Sequence, residues 1–130
     1  MKKLMVSLAM ITLLTTRAAP QTGNAAAVKV LEEYLHRIGQ GNLTNIESLA
    51  TAQGAEIAHS YYRWITAWDK QKLEDLKTCK VTVFEESIDN DRVTFIISYP
   101  IKDGNRNESV RTRAELVNIR GTWKVDYYKI

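Results

Sequence analysis

The first apolar pattern in the chain has a helical period. Across residues 25–38, Val28, Leu31, Leu35 and Ile38 recur at spacings of three and four, which places their side chains on one helix face. Gly39 and Gly41 follow this run and predict the end of the helix, with one of them in the left-handed conformation that glycine adopts readily.

Two further helical segments are expected before the pattern changes. A short helix is predicted within residues 42–50, and Gly54 separates it from the next segment. From residue 55 onwards one apolar stripe has helical spacing and comprises Ile57, Tyr61, Trp64, Ile65 and Trp68. The highly charged residues 69–77 then form either the end of this helix or a connecting loop.

From Lys80 the apolar positions alternate, which is the period of a β-strand. Strands are predicted at residues 80–89, 92–101, 108–119 and 122–130, joined by turns at 89–91, 102–105 and 120–121. Asp103-Gly104 is a strong hairpin signal, and Trp123, Val125 and Tyr127 alternate along the last strand. The pattern therefore predicts an α+β fold, with N-terminal helices packed on a curved four-stranded antiparallel sheet.

The N-terminus has the features of a secretory signal peptide. Lys2 and Lys3 precede the apolar run 4–14, and small residues follow it. We expect residues 1–18 to be removed, although Arg17 is unusual there and cleavage as late as about residue 27 is the alternative. Residues 19–24 then form a linker to one domain, 25–130. The mature protein is expected to be periplasmic or secreted, with no stable membrane anchor.

Removal of this segment changes the charge of the protein. The whole chain has 18 basic and 15 acidic residues, and Lys2, Lys3 and Arg17 leave with the signal, so 15 of each remain. A domain without net charge has no long-range attraction for phosphates, which argues against nucleic acid as a partner. Cys79 is the only cysteine and excludes an internal disulfide; a buried thiol, an intermolecular pair and a reactive thiol remain open.

A repeated Glu-x-x-His spacing, Glu33/His36 and Glu56/His59, resembles the ligand motifs of di-iron bundles. Helical phase places both pairs away from the apolar faces, so we expect them on the surface. No metal and no cofactor is therefore predicted.

The order of elements resembles the NTF2-like (cystatin-like) superfamily. The resemblance is carried by the opening helix with its glycine stop, the Asp103-Gly104 hairpin and the terminal GTWKV at residues 121–125. It is similar in particular to small exported bacterial members of unknown function or lumazine-binding-like type, although this chain lacks their lipobox cysteine. The resemblance implies a cone-shaped domain whose interior is either filled by side chains or open as an apolar pocket.

Enzymes of this superfamily place an acid inside the cone, which the resemblance transfers to Asp69, Glu115 or Asp126 as candidates. Asp69 begins a charged run and Asp126 shares its strand face with Lys124, so both also fit a surface position. No catalytic residue is assigned. An isomerase- or dehydratase-type enzyme using a buried carboxylate remains the alternative function.

Aromatic residues are the stronger candidates for a site. They either fill the core or line a pocket, and the candidate ligand-binding set is Tyr61, Trp64, Trp68, Tyr99, Trp123 and Tyr127. Tyr62 and Tyr128 fall on opposite faces and are candidates for a homodimer surface. Arg111 and Arg113 form either a solvent-exposed charge ladder with Glu115 or an anion site.

The expected function is non-enzymatic binding of a small apolar ligand or of a partner protein. A purely structural dimerising domain is the further alternative.

Overall fold

The computed structural model describes residues 22–103 and 106–130. The predicted signal peptide, the first part of the predicted linker and Gly104 of the predicted hairpin lie outside these residues. The chain order is α1 (Thr22–Gln40), a 3₁₀ turn (Ile46–Ser48), α2 (Ala52–Trp68), α3 (Lys70–Lys77), β1 (Thr82–Asp89), β2 (Arg92–Asp103), β3 (Arg106–Ile119) and β4 (Thr122–Tyr128). Across the described residues, every helix is too short or too polar to cross a bilayer.

Helix α1 spans Thr22–Gln40, so it includes three residues before the apolar pattern that predicted it. The predicted stop is confirmed, because Gly41 follows the helix with a φ of 70°. Gly39 lies inside the helix and has a different role. A Cβ there would lie 2.7 Å from the Leu73 carbonyl oxygen, so glycine permits the close approach of α3.

The charged residues 69–77 form a helix of their own rather than a loop. Asp69 is the N-cap of α3, and its side chain accepts a hydrogen bond from the Lys72 amide at 3.2 Å. Leu76 is fully buried and Leu73 is partly buried, so a narrow apolar stripe anchors this otherwise polar helix.

The four strands form an antiparallel meander in the order β1-β2-β3-β4. Alternate residues of β2 face the helices: Val93, Phe95, Ile97 and Tyr99 are all buried. The helical layer therefore covers one face of the sheet, and the predicted α+β fold is confirmed.

A bulge in β4 changes which tyrosine faces the core. Glu115 pairs with Tyr127, whereas the next residue, Leu116, pairs with Val125, so Asp126 is an extra residue in β4. Trp123 and Val125 consequently face the helices, and the face reverses after the bulge. Tyr128 is buried and Tyr127 lies on the outer face, which is the opposite of what strict alternation from Val125 predicts.

Helix α2 packs on the sheet through a face whose residues are smaller than those of the apolar stripe predicted from the sequence. Its buried residues are Gly54, Ala55, Ala58, Tyr61 and Ile65. The helix starts close against β4: a Cβ on Gly54 would lie 2.0 Å from the Val125 carbonyl oxygen. Gly54 therefore lies within α2 and contacts β4; it does not separate two helices. The helix is rotated so that Trp64 and Trp68 are exposed.

Candidate ligand-binding cavity

A cavity of about 480 Å³ lies between α2, α3 and the sheet, beside the part of β3 that extends beyond β4. This volume is in the usual range of small-molecule sites. Its walls are mainly aromatic and aliphatic, and basic residues are also among those that line it. The lining residues are Tyr61, Trp64, Lys72, Ile96, Tyr99, Val110, Arg111, Thr112, Arg113, Tyr128, Lys129 and Ile130.

Three tyrosine hydroxyls meet at the wall of this cavity. Tyr128 donates a hydrogen bond to the Tyr99 hydroxyl at 3.1 Å, and the Tyr61 hydroxyl lies 3.3 Å from the same oxygen. Tyr61 lies on α2, Tyr99 on β2 and Tyr128 on β4. All three side chains are buried, and the Tyr61 and Tyr128 rings pack with centroids 5.6 Å apart. We call these residues the tyrosine cluster.

The three hydroxyls of the tyrosine cluster carry three protons, and only two of these protons are used in hydrogen bonds within the cluster. Each hydroxyl carries one proton, and the described contacts include two hydrogen bonds among the three groups. One O–H therefore remains available, on Tyr61 or on Tyr99 according to which of them donates to the other. A ligand oxygen in the cavity would satisfy it.

Burial keeps these hydroxyls protonated. It raises the pKa of Tyr61, Tyr99 and Tyr128 above the ordinary value for tyrosine, because the phenolate would lose its solvation. The tyrosine cluster is therefore neutral at physiological pH and acts as a hydrogen-bond donor.

The structure brings together only part of the aromatic set predicted from the sequence. Tyr61, Tyr99 and Trp64 line the cavity, and Trp64 stands at its rim with 48% of its surface exposed. Trp68 is 77% exposed and lies outside the lining. Trp123 packs against the core away from the cavity.

Tyr127 and Tyr128 exchange the positions expected for them. Tyr127 lies on the outer sheet face, where the Arg113 guanidinium is 5.2 Å from its ring centre. Tyr128, predicted for a dimer surface, belongs to the tyrosine cluster instead. Alternation along β4 could not indicate this, since the bulge at Asp126 is required to turn Tyr128 inward.

The three candidate acids have structural partners elsewhere. Asp69 caps α3. Asp126 accepts hydrogen bonds from Thr51 at 2.7 Å and from Arg92 at 3.0 Å. Glu115 lies 3.4 Å from Arg92 and 3.6 Å from Arg113. No Asp or Glu side chain among the described residues lines the cavity.

The Glu-x-x-His pairs do not converge. Glu33, Glu56 and His59 are exposed, as helical phase predicted. His36 differs from that expectation: it is half-buried, and its Nε2 donates a hydrogen bond to the Cys79 carbonyl at 2.7 Å. Within the described residues, no group of three or more His, Cys, Asp or Glu side chains is arranged to hold a metal ion.

Cys79 is buried at the junction of α3 and β1. Burial and the nearby Glu32 charge raise the pKa of its thiol to about 12, so the thiolate is not populated near neutral pH. The buried-thiol interpretation of Cys79 agrees with this position.

A larger groove of about 850 Å³ lies between the end of α1 and the 3₁₀ turn. Its lining consists of polar and charged side chains, among them Glu33, Arg37 and Glu47. None of the lining side chains is fully buried. We therefore place the candidate site at the smaller cavity, where buried hydroxyls adjoin apolar walls.

Comparison with known proteins gives structural matches without sequence matches. No protein family and no curated protein matches the chain. An NTF-2 like protein of unknown function from Shewanella oneidensis is 13% identical over 78% of this chain and 93% of its own, with a TM-score of 0.52. The protein Rd1NTF2_04 with long sheet is 14% identical over 76% of this chain and 94% of its own, with a TM-score of 0.51.

At such identities the likeness is evidence for the fold alone. The TM-scores of 0.52 and 0.51 support the same overall fold for this chain. The lumazine-binding-like type stays a prediction. The chain has the NTF2-like fold.

Proposed function

We propose that this protein binds a small, largely apolar molecule in the cavity beside the tyrosine cluster. The observation that carries the proposal is the meeting of three buried tyrosine hydroxyls at the wall of an open cavity of about 480 Å³. The ligand would place an acceptor oxygen against the spare hydroxyl proton and its apolar part against Trp64, Val110 and Ile130.

Simple core filling accounts for the burial of the three rings, of which only 1–2% is exposed. It leaves the spare hydroxyl proton without an acceptor among the described contacts. A buried hydroxyl without an acceptor also costs free energy, since its hydrogen bond to water is lost. An acceptor supplied by a ligand removes that cost.

Fluorescence titration with prodan tests the proposal. Prodan is a neutral naphthalene whose ketone accepts a hydrogen bond, and its emission shifts to the blue in an apolar site. We expect saturable one-to-one binding that weakens in Tyr99→Phe. The control is Tyr62→Phe, because Tyr62 is partly buried outside the cavity. Absence of saturable binding, or equal binding by both variants, would count against the proposal.

Binding is favoured over catalysis. An isomerase or dehydratase needs a proton acceptor beside its substrate. The candidate acids Asp69, Glu115 and Asp126 are held in capping and ion-pair contacts, and none of them lines the cavity. The hydroxyls of the tyrosine cluster have raised pKa values and so stay protonated near neutral pH. They can donate hydrogen bonds, but they cannot take a proton from a substrate.

Docking of a partner protein is the second candidate, and the exposure of Trp68 supports it. Trp64 and Trp68 are four residues apart on α2 and are 48% and 77% exposed. Tryptophan is enriched where protein interfaces form. If this candidate is correct, Trp68→Ala abolishes co-purification of a partner from the native host, while prodan binding is unchanged.

We also propose that the protein is exported. Lys2 and Lys3 followed by an apolar run and small residues support this. N-terminal sequencing of the protein from its own host tests it: a start between about residue 19 and residue 28 supports export, and an intact Met1 contradicts it.

A further inference from the structure

We infer that the free edge of β1 binds an extended segment of a partner protein, with alternating basic and apolar residues, as a fifth strand of the sheet. This edge is separate from the cavity beside the tyrosine cluster, because no β1 residue is among the described residues that line the cavity. The sheet order β1-β2-β3-β4 leaves β1 and β4 as its two edges. An edge strand presents backbone N–H and C=O groups with which a further strand can pair.

The two edges differ in how they are covered. At β4 the Val125 amide donates to the Leu49 carbonyl at 2.8 Å, and the Val125 carbonyl accepts from the Thr51 amide at 3.0 Å. Gln53 also donates to the Asp126 carbonyl at 2.8 Å. Among the described backbone hydrogen bonds, those of β1 are made only with β2. Because alternate residues of an antiparallel strand direct these groups away from the neighbouring strand, β1 can still pair on its open side.

A groove of about 640 Å³ lies between this edge and α1. The residues that border it are Asn24, Ala25, Val28 and Lys29 of α1 and residues 83–86 of β1. The Asn24 side chain links the two walls by donating a hydrogen bond to the Glu86 carboxylate at 2.6 Å. A peptide paired with β1 would therefore lie with one face towards a helix, in the manner of strand addition to a sheet edge.

Apolar side chains on β1 remain exposed. Phe84 and Ile88 are 52% and 58% exposed. Ile88 pairs with the buried Val93, so it lies on the helix side of the sheet, where apolar side chains of a partner strand would cover it. The strand contains no Lys or Pro, the residues that often block an edge. A bulge at Phe84 interrupts the ladder, so the regular stretch available for pairing is residues 85–89.

The charge of this edge suits a basic partner. β1 contains Glu85, Glu86 and Asp89 and no basic residue. Within the described residues these three carboxylates form no ion pair. Arg92 lies opposite Asp89 in the sheet, but its guanidinium pairs with acids of β3 and β4. Lys29 is the only basic residue among the described residues that border the groove, against two acids.

The same charges disfavour a second copy of the chain as the partner. In an antiparallel pairing of two β1 edges centred on Ser87, Glu85 of one copy would lie opposite Asp89 of the other. Directly opposed like charges destabilise a sheet, whereas lysines at those positions would form cross-strand ion pairs. Glu85 and Asp89 lie on the outer sheet face and Ile88 on the helix side, so a partner strand should alternate basic and apolar residues.

Fluorescence anisotropy with a labelled heptapeptide tests the inference. The probe is Thr-Lys-Val-Lys-Val-Lys-Thr, whose lysines and valines lie on opposite faces of a strand. Its acidic counterpart has Glu in place of each Lys. At an ionic strength of about 20 mM we expect saturable one-to-one binding of the basic peptide, at least about tenfold tighter than that of the acidic peptide. Absence of binding, or equal binding of the two peptides, overturns the inference.

Backbone methylation separates strand pairing from charge attraction alone. Two further basic peptides carry N-methyl groups either on both valine amides or on two lysine amides. Only one of these sets faces β1 in a paired strand. One methylated peptide should therefore lose about tenfold or more in affinity, and the other should bind nearly unchanged. Equal affinities of the two methylated peptides would contradict strand addition.

Substitutions localise the binding. Glu85→Gln combined with Asp89→Asn should weaken binding of the basic peptide by about threefold or more, since exposed ion pairs contribute up to about fivefold each. The matched control is Glu47→Gln with Glu56→Gln, which removes two charges from exposed positions outside β1 and the groove. Circular dichroism checks that both variants are folded. Equal affinities of the two variants overturn the inference.

Sedimentation velocity tests the alternative occupant of this edge. We expect the protein to bind the peptide as a monomer. A dimer whose formation excludes the peptide would assign the β1 edge to a second copy and overturn the inference. Prodan binding at the cavity is measured independently, so a failure at β1 leaves the proposed function standing.

Discussion

The Tyr128 hydroxyl donates a hydrogen bond to the Tyr99 hydroxyl, with 3.1 Å between the two oxygens. This contact joins the last strand, β4, to the long inner strand β2. The Tyr99 hydroxyl is the centre of the tyrosine cluster, since Tyr61 contacts the same oxygen from α2. The two residues are far apart in sequence, and the bulge at Asp126 brings Tyr128 to the inner face. A candidate binding site is thus assembled from three separate elements.

Removal of the central hydroxyl tests the energetics of this cluster. Tyr99→Phe should lower the free energy of unfolding by about 1–3 kcal/mol, because the Tyr61 and Tyr128 hydroxyls would lose their shared buried partner. Urea unfolding measures the effect. Tyr127→Phe is the control on the outer sheet face and should change stability by less than about 0.5 kcal/mol. Similar losses in the two variants would show that the cluster is not a stabilising network.

The two exposed tryptophans of α2 should behave differently in binding. Trp64→Ala should weaken prodan binding, because Trp64 lines the cavity, whereas Trp68→Ala should leave it unchanged. Neither change should cost the 3–5 kcal/mol typical of a buried Trp→Ala, and we expect less than about 2 kcal/mol for Trp64. A core-sized loss at Trp64, or unaltered binding in its variant, would contradict the position of the cavity.

The close contact between α2 and β4 predicts an unusual glycine effect. In a helix, Gly→Ala ordinarily stabilises by about 1 kcal/mol. Gly54→Ala should instead destabilise by about 3 kcal/mol or more, because the new Cβ would lie 2.0 Å from the Val125 carbonyl oxygen.

Thermal unfolding measures this effect. The control is Ala67→Gly on the exposed side of the same helix, which should cost about 1 kcal/mol through helix propensity alone. A stabilising Gly54→Ala would mean that α2 does not approach β4 so closely.

Stability should fall at alkaline pH. The Cys79 thiol has its pKa raised from 9.0 to about 12 by burial, so above pH 9 it ionises in the unfolded chain but stays protonated in the folded protein. Its contribution is therefore complete below pH 9 and is lost progressively up to about pH 12. The raised pKa values of Tyr34, Tyr61 and Tyr128 act in the same direction above pH 10.0.

Urea unfolding between pH 8 and pH 11 measures this loss. In a parallel measurement at pH 8, the thiol reagent DTNB should react slowly with the folded protein and rapidly in denaturant, since only the thiolate is nucleophilic. Rapid reaction of the folded protein would contradict a buried, protonated Cys79.

The order of elements and the inner face of β2 could be predicted from the sequence. Alternation placed Val93, Phe95, Ile97 and Tyr99 on one face, and all four are buried because the strand is regular there. The sequence alone does not decide between helix and loop for α3, since its many charged residues obscure the stripe formed by Leu73 and Leu76.

The site itself could be predicted only in part. Tyr61, Trp64 and Tyr99 were identified because they lie on regular helix and strand periods. Tyr128 was missed because a bulge reverses the strand face, and Trp68 was included because an apolar stripe does not show where the partner sheet ends.

Chemical-shift mapping by NMR is the direct test of ligand binding in the cavity beside the tyrosine cluster. Prodan is titrated into isotope-labelled protein and the backbone amide shifts are followed. If the ligand binds there, we expect saturable changes confined to the last turns of α2, the first turn of α3, Tyr99, residues 110–113 and residues 128–130. Changes centred on the outer sheet face at Tyr127, or none at saturating prodan, would contradict it.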